Sequence, residues 1–325
     1  MILAIVEHDR GKLNPVSFEC LTLARDVAHQ AGAALHAVLI GEEARPLASQ
    51  LAAYGASAVH LVTHERLDDY APEAWARAIV QLIDSLAPRA VTAAGSDRGN
   101  EVMAHVAALC DQPLAANCIE VTGGDPYEVT RLRWGGSLLE EALLSGNPKL
   151  FTVAPQALEP RQAAEPGELA LQTFTPQLED KAFRVRIKER VDTSADKVSL
   201  AEARLVVGGG RGVGSAEGFA TLEELADLLG GAVGGSRVVT NLGWRPHSDQ
   251  IGQTGTRIAP DLYIACGISG AIQHMVGCKG AKNVLAINTD REAPIMSKAN
   301  YAVFGDVHEV LGALLEELRA RSNPT

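Results

Sequence analysis

The sequence predicts an α/β protein of two Rossmann-like domains, each a doubly wound parallel sheet. Strand-like and helix-like segments alternate along most of the chain, the signature of parallel strands joined by crossover helices. The alternation breaks once, where PQALEPRQAAEPGE is rich in proline and KAFRVRIKERVDTSADK is heavily charged. This break divides the chain into a first domain over residues 1–180, a charged linker over 181–200 and a second domain over 201–325.

The first domain opens with the apolar run ILAIVEH, read as a strand. In PVSFECLTLARDVAHQAG, Leu21, Ala24, Val27, Ala28 and Ala31 recur at helical spacing, and Gly32 closes the helix. LHAVLIG, AVHLVTH and AVTAAG read as further strands; LASQLAAYG, PEAWARAIVQLIDSLAP and GNEVMAHVAALC read as helices. SDRGNE, residues 96–101, joins a strand to a helix start, where an anion could sit. The plainer reading makes Ser96 or Asp97 a helix cap. In the linker, Phe183, Val185 and Ile187 alternate with Arg184, Arg186 and Lys188, which predicts an edge strand with one apolar and one basic face.

From Leu205 the rhythm resumes. LVVGGGRG is a strand entering a glycine loop. TLEELADLLGG is a helix with Thr221 and Glu224 spaced as a capping box and with Leu222, Leu225, Ala226 and Leu229 facing inward. AVGG, DLYIAC, NVLAIN and YAVFGD are strands, and VHEVLGALLEEL is a closing helix.

Composition excludes several classes. A formal charge of 29 minus 40, or −11, leaves no broad basic surface for nucleic acid or an anionic membrane. The five cysteines form no CxxC pair, which argues against a disulfide framework or a zinc knuckle and for a reducing compartment. The opening MILAIVEHDRGKL reads as a strand rather than a targeting segment, and no run approaches the ~18 apolar residues of a membrane span. A cytoplasmic protein without membrane insertion is expected.

In an open parallel sheet, ligands lie outside the carboxyl ends of the strands. Arg211 follows LVVGGG; Ser236 and Arg237 follow AVGG; Gly267, Ser269 and Gly270 follow YIAC; Asn288 ends VLAIN; Asp306 follows AVFG. A guanidinium, hydroxyls, free N–H groups, an amide and a carboxylate on one sheet edge suit a dinucleotide better than a small metabolite. By themselves they suit a nicotinamide, a flavin or an acyl nucleotide equally. Each also has a plainer role: a tight turn for Gly208, Gly209 and Gly210, an ion pair of Arg211 with Glu217, a helix N-cap for Ser269.

IGQTG narrows the choice. Gln250, Gln253 and Thr254 place donors and acceptors on a loop without helical or strand periodicity, which suits a heteroaromatic ring. His274, four or five residues into the helix expected to start at Ser269, faces the same pocket in this reading. A flavin gives it a task. Reduction places negative charge around N1 and O2, so a donor or cation there raises the potential. Arg237 along the ring acts in the same direction, and Thr254 can donate to N5. A nicotinamide-dependent enzyme would need an acid–base pair, and neither paired carboxylates nor a His–Asp spacing supplies one. A third reading, a nucleotide-binding regulatory module, would rest on residues 1–180.

GGGRGVGSAEGF, VGGSR, DQIGQTGTRIAPDLYIACGISGAIQHMVGCKGAKNVLAINTDREAPI and YAVFGDVHEVL together resemble the FAD domain of the electron transfer flavoprotein α-subunit family, almost continuously from 205 to 318. The resemblance implies FAD as cofactor and a heterodimer with a β subunit. It implies flavin dehydrogenases as electron donors, a quinone reductase as acceptor, and a redox carrier that transforms no substrate. It places Arg211, Ser236 and the turn Gly267, Ile268, Ser269, Gly270 at the pyrophosphate, followed by Ala271, Ile272 and Gln273. It places Arg237 over the flavin, Gln250, Ile251, Gly252, Gln253 and Thr254 along the ring and ribityl chain, His274 near O2, and Asn288 and Asp306 at the adenosine end. Trp244, Arg245 and His247 are expected to tune partner choice or to be ordinary loop surface. Electron-bifurcating and nitrogen-fixation relatives share these motifs.

Overall fold

The computed structural model describes residues 1–134, 138–164, 169–188, 200 and 203–322. The chain divides into two compact units, Met1–Arg190 and Val191–Thr325.

The first unit contains β1 (Ile2–Ile5), β2 (His8–Asp9), β3 (Lys12–Leu13), α1 (Val16–Gln30), β4 (Leu35–Ile40), α2 (Ala48–Leu51), β5 (Ala58–Val62), α3 (Pro72–Leu86), β6 (Ala90–Ala94), α4 (Asp97–Cys110), β7 (Leu114–Thr122), β8 (Tyr127–Arg133), β9 (Leu138–Leu144), β10 (Lys149–Val153) and β11 (Ala170–Phe174). β2 and β3 form a small antiparallel ladder. The others form one sheet in the order β11-β5-β4-β1-β6-β10-β7-β8-β9. Pairing is parallel from β11 through β7 and antiparallel for β7/β8 and β8/β9. The α/β class therefore holds, and an antiparallel extension that strand–helix alternation did not reveal lengthens one edge.

Helical spacing on α1 buries Leu21, Ala24, Val27 and Ala28 against one face of this sheet, while α3 and α4 bury Trp75, Ile79, Leu82, Met103 and Val106 on the other. Each large apolar side chain buried in this way contributes roughly 1.5–3 kcal/mol. LASQLAAYG does not make one helix: Pro46 lies in a 3-10 turn, Glu42–Leu47, before the four-residue α2, and Gly55 at φ 90° ends the segment. At SDRGNE the plainer reading is correct. Ser96 Oγ accepts from Gly99 N at 2.9 Å, capping α4, and its hydroxyl donates to the Glu7 carboxylate. An internal carboxylate thus stands where an anion would sit.

The edge strand expected from residue 182 does not form over 182–188. Ala182 and Phe183 end a 3-10 helix, Asp180–Phe183, and both are buried. Phe183 stacks on His64 at 5.8 Å with the Arg66 guanidinium 3.8 Å from its ring, whereas Val185 is 59% exposed, so the alternating residues share no buried face. Residues 189–191 of that expected strand lie outside the described residues.

The second unit contains β12 (Leu205–Gly209), α5 (Phe219–Leu229), β13 (Ala232–Gly235), α6 (Arg237–Asn241), β14 (Leu262–Cys266), α7 (Ile272–Gly277), β15 (Val284–Asn288), β16 (Tyr301–Phe304) and α8 (Val307–Ser322). Its five strands are all parallel, in the order β13-β12-β14-β15-β16. The strand order reverses between β12 and β14, so their following loops diverge and open a crevice at the carboxyl edge. α5 and α8 cover one face through Leu222, Leu225, Ala226, Leu311 and Leu315; Ile251, Ile258, Cys278 and Ile295 cover the other. The expected capping box is absent. α5 begins at Phe219, which leaves Thr221 inside the helix, and Glu224 pairs with Arg319 of α8.

Candidate functional site

The loops after β12 and β14 meet without side chains between them. Gly212 N donates to Gly267 O at 3.1 Å and Gly210 N to Cys266 O at 2.8 Å. A Cβ on Gly212 would lie 2.7 Å from Gly267 Cα, and Gly267 itself has φ 62°. Only glycine permits both the approach and the backbone angle. Gly208 and Gly209 serve neighbouring packing instead: they lie within β12, where added side chains would overlap the Tyr263 and Phe219 rings.

These loops, α6, the segment 250–254 and the start of α7 enclose a cavity of about 620 Å³. Among the expected site residues, Arg211, Ser236, Arg237, Gln250, Ile251, Gly252, Gln253, Thr254, Gly267, Ile268, Ser269, Gly270, Ala271, Gln273, His274 and Asn288 line it. Ile272 and Asp306 do not. The Ile272 side chain is 71% exposed, and Asp306 Oδ1 accepts from His308 N at 2.9 Å and Glu309 N at 3.3 Å, capping α8. Ser269 is not the helix cap: Ala271 holds that position, and the Ser269 carbonyl accepts from Ile295 N at 3.1 Å. Neither Arg211 nor Arg237 forms an ion pair among the described residues, so the plainer role of Arg211 as a partner for Glu217 does not hold.

Gly210, Gly212, Val238, Asn241, Asp290 and Ala293 also line the cavity and were missed. Asn241 lies four residues beyond Arg237 on α6, so helical spacing could have found it, whereas Val238, the next residue, carries no such signal. Asp290 N donates to Asn288 Oδ1 at 3.0 Å, an Asx turn legible in NTD.

The segment 250–254 is internally braced. Gln250 is buried; its Oε1 accepts from Thr240 Oγ1 at 2.9 Å and its Nε2 donates to Thr254 Oγ1 at 3.0 Å. Its amide is therefore engaged in structure, while the exposed Thr254 keeps its own hydroxyl proton to donate. Gln253 N donates to Gln273 O at 2.8 Å, tying the loop to α7. Asn288 is engaged similarly, its Nδ2 donating to Ile268 O at 3.0 Å.

His274, the third residue of α7, is buried. Nε2 lies 2.8 Å from the hydroxyl of Tyr263 on β14. Nδ1 is buried without a hydrogen bond of full geometry, though the Ile251 backbone faces the ring closely enough to favour its protonated form. Burial dominates and lowers the imidazole to about 4, so at neutral pH the ring carries no charge. Of the two expected roles, donor or cation, burial leaves the ring uncharged and so removes the cation. Arg245, expected at the loop surface, is instead clamped between Glu223 at 2.5 Å and Asp249 at 2.7 Å, with Phe219 5.5 Å away.

Residues 2–178 match the electron transfer flavoprotein domain, and residues 199–279 match the electron transfer flavoprotein FAD-binding domain. Electron transfer flavoprotein subunit alpha of Megasphaera elsdenii is 35% identical over 324 residues, covering 98% of this chain and 96% of its own. That of Thermoanaerobacterium thermosaccharolyticum is 33% identical over 321 residues, covering 98% and 97%. Protein FixB of Bradyrhizobium diazoefficiens is 36% identical over 331 residues, covering 99% and 89%. With both domains matched and nearly the whole length shared, the chain belongs to the electron transfer flavoprotein α-subunit family.

Proposed function

We propose that this chain is the α subunit of a heterodimeric redox carrier, with FAD held in the cavity at the carboxyl edge of the second unit. The observation that carries the reading is the cavity at the β12/β14 switch point, lined by two guanidinium groups without ion pairs among the described residues. A pyrophosphate brings two negative charges to such a place, and the backbone N–H groups of Ile268, Ser269 and Gly270, which have no backbone partner among the described residues, complement them. The residue set fits FAD: Arg211, Ser236 and Ser269 would hold the pyrophosphate, Arg237 and Thr254 the ring. FAD supplies one- and two-electron chemistry when bound. Around it, Arg237 contributes positive charge, Thr254 donates its hydroxyl proton, and the braced 250–254 loop excludes water.

The electrons enter from flavin dehydrogenases and leave to a quinone reductase or a similar acceptor, and no substrate is transformed. A cytoplasmic setting is supported by the five free cysteines. Among the described residues no helix is long and apolar enough to cross a membrane. Co-expression with the partner β subunit, followed by a visible spectrum and stepwise reduction, tests the reading. The expected product is a yellow heterodimer with a reducible flavin bound to the second unit; a colourless complex that takes up no FAD defeats it.

A further inference from the structure

Tyr263 is fully buried on β14, and its hydroxyl occupies the space left by Gly208 on the neighbouring strand. Among the described residues the hydroxyl has one hydrogen-bond partner, His274 Nε2 at 2.8 Å. A phenol has a single proton to donate, and a neutral imidazole has one donor and one acceptor nitrogen. If Nε2–H donated to the phenol oxygen, the phenol proton would be buried with no acceptor, and Nδ1 would present a lone pair toward the Ile251 backbone. If the phenol donates to Nε2, its proton is satisfied and Nδ1 carries N–H. Nδ1 lacks a hydrogen bond of full geometry in either arrangement, so the phenol proton decides, an unmade buried hydrogen bond costing about 1–3 kcal/mol.

We infer that Tyr263 is a positioning residue that fixes His274 as the Nδ1–H tautomer, so that the imidazole presents an oriented neutral donor to the Ile251 backbone of the 250–254 loop lining the cavity, and not a cation. Free imidazole side chains favour the Nε2–H tautomer, so the buried phenol reverses the solution preference. Gly208 belongs to the same device, because any side chain there would overlap the Tyr263 ring. The role of that loop at the flavin rests on the FAD reading above; the tautomer does not.

Nitrogen-15 NMR of histidine-labelled full-length chain, co-expressed with its partner subunit, tests the assignment at neutral pH. The His274 signals are identified by their loss in His274→Asn. The expected wild-type pattern is a protonated Nδ1 and an unprotonated Nε2; an Nε2–H or doubly protonated ring overturns the inference. In Tyr263→Phe the ring is expected to shift to the Nε2–H form, with flavin content unchanged and a changed first reduction potential. Retention of the Nδ1–H form in that variant also overturns it. The wild-type spectrum decides the matter even if Tyr263→Phe does not fold. Absence of FAD from the wild-type heterodimer would sink the functional reading while leaving the tautomer measurable.

Discussion

Gly252 and Gly277 pack backbone against backbone, and a methyl group on Gly277 would lie 2.8 Å from the Gly252 carbonyl carbon and closer to its N and Cα. The contact presses the 250–254 loop onto α7, where Gln253 N also reaches Gln273 O. Gly277 lies at the end of α7 without a positive φ, so Gly277→Ala tests space and not backbone angle. Overpacking of this kind costs about 1–3 kcal/mol, and the lost loop register is expected to weaken flavin retention tenfold or more. Gly312→Ala, in α8 with nothing within 4 Å of the added methyl, is the control and is expected to stabilise by up to about 1 kcal/mol. Melting curves and flavin retention after gel filtration compare the two; equal flavin retention would remove the loop from the binding account.

Acid and base act with opposite sign on the two units. His274 is lowered from 6.5 to about 4 by burial, so between those values the unfolded chain binds more protons than the folded one. Its contribution is full above 6.5 and is lost by about 1.4 kcal/mol per pH unit as pH falls toward 4. Glu19 on α1 is raised from 4.5 to about 7 by burial, against backbone hydrogen bonds from Gln156 and Ala157. Its contribution is full below 4.5 and is lost as pH rises through 7. Denaturation midpoints should lose the rise between pH 4 and 6.5 for the second unit in His274→Asn, and the fall between pH 4.5 and 7 for the first unit in Glu19→Gln. Unchanged slopes in both variants would refute the assignments.

The second unit was more legible in the sequence than the first, for physical reasons. A parallel sheet buried on both faces writes each strand as a short apolar run, as in LYIAC and VLAIN, and its glycine turns mark the ligand edge directly. The β7–β8–β9 extension gives no such signal. In β9, Leu138, Leu139 and Leu143 are exposed, so the strand's apolar residues do not mark its inner face. Ser269 shows a different failure. It is a favoured cap residue, but Gly270 at φ 82° turns the chain and delays the helix to Ile272, and no residue type announces that delay. His274 was recognisable as a cavity residue; its neutrality follows from burial, which its helical position alone did not show.

Asp306 separates motif resemblance from geometry. It follows β16 at the carboxyl edge, where an adenosine contact was expected, yet its carboxylate caps α8 through His308 N and Glu309 N. Asp306→Ala is expected to cost about 0.5–2 kcal/mol of stability. FAD affinity should stay within twofold of wild type in a direct titration of the stripped heterodimer. A loss of tenfold or more at unchanged stability would restore Asp306 to the cofactor.

With His274 neutral, the proposed placement of FAD leaves Arg237 as the positive charge beside the flavin. It is exposed, opens α6 and lines the cavity without an ion pair among the described residues, whereas nearby Arg245 is neutralised between Glu223 and Asp249. A partly screened cation near a developing negative charge is worth about 1 kcal/mol, which corresponds to roughly 40 mV for one electron. Arg237→Ala should lower the first reduction potential by about that amount, and Arg237→Lys should recover part of it, because charge returns without the planar stacking surface. Arg245→Ala should instead lower the melting temperature and leave the potential in place, since it removes a clamp and no unpaired charge. Spectroelectrochemical titration of the three variants measures these shifts. A potential that moves with Arg245 and ignores Arg237 would reverse the two roles.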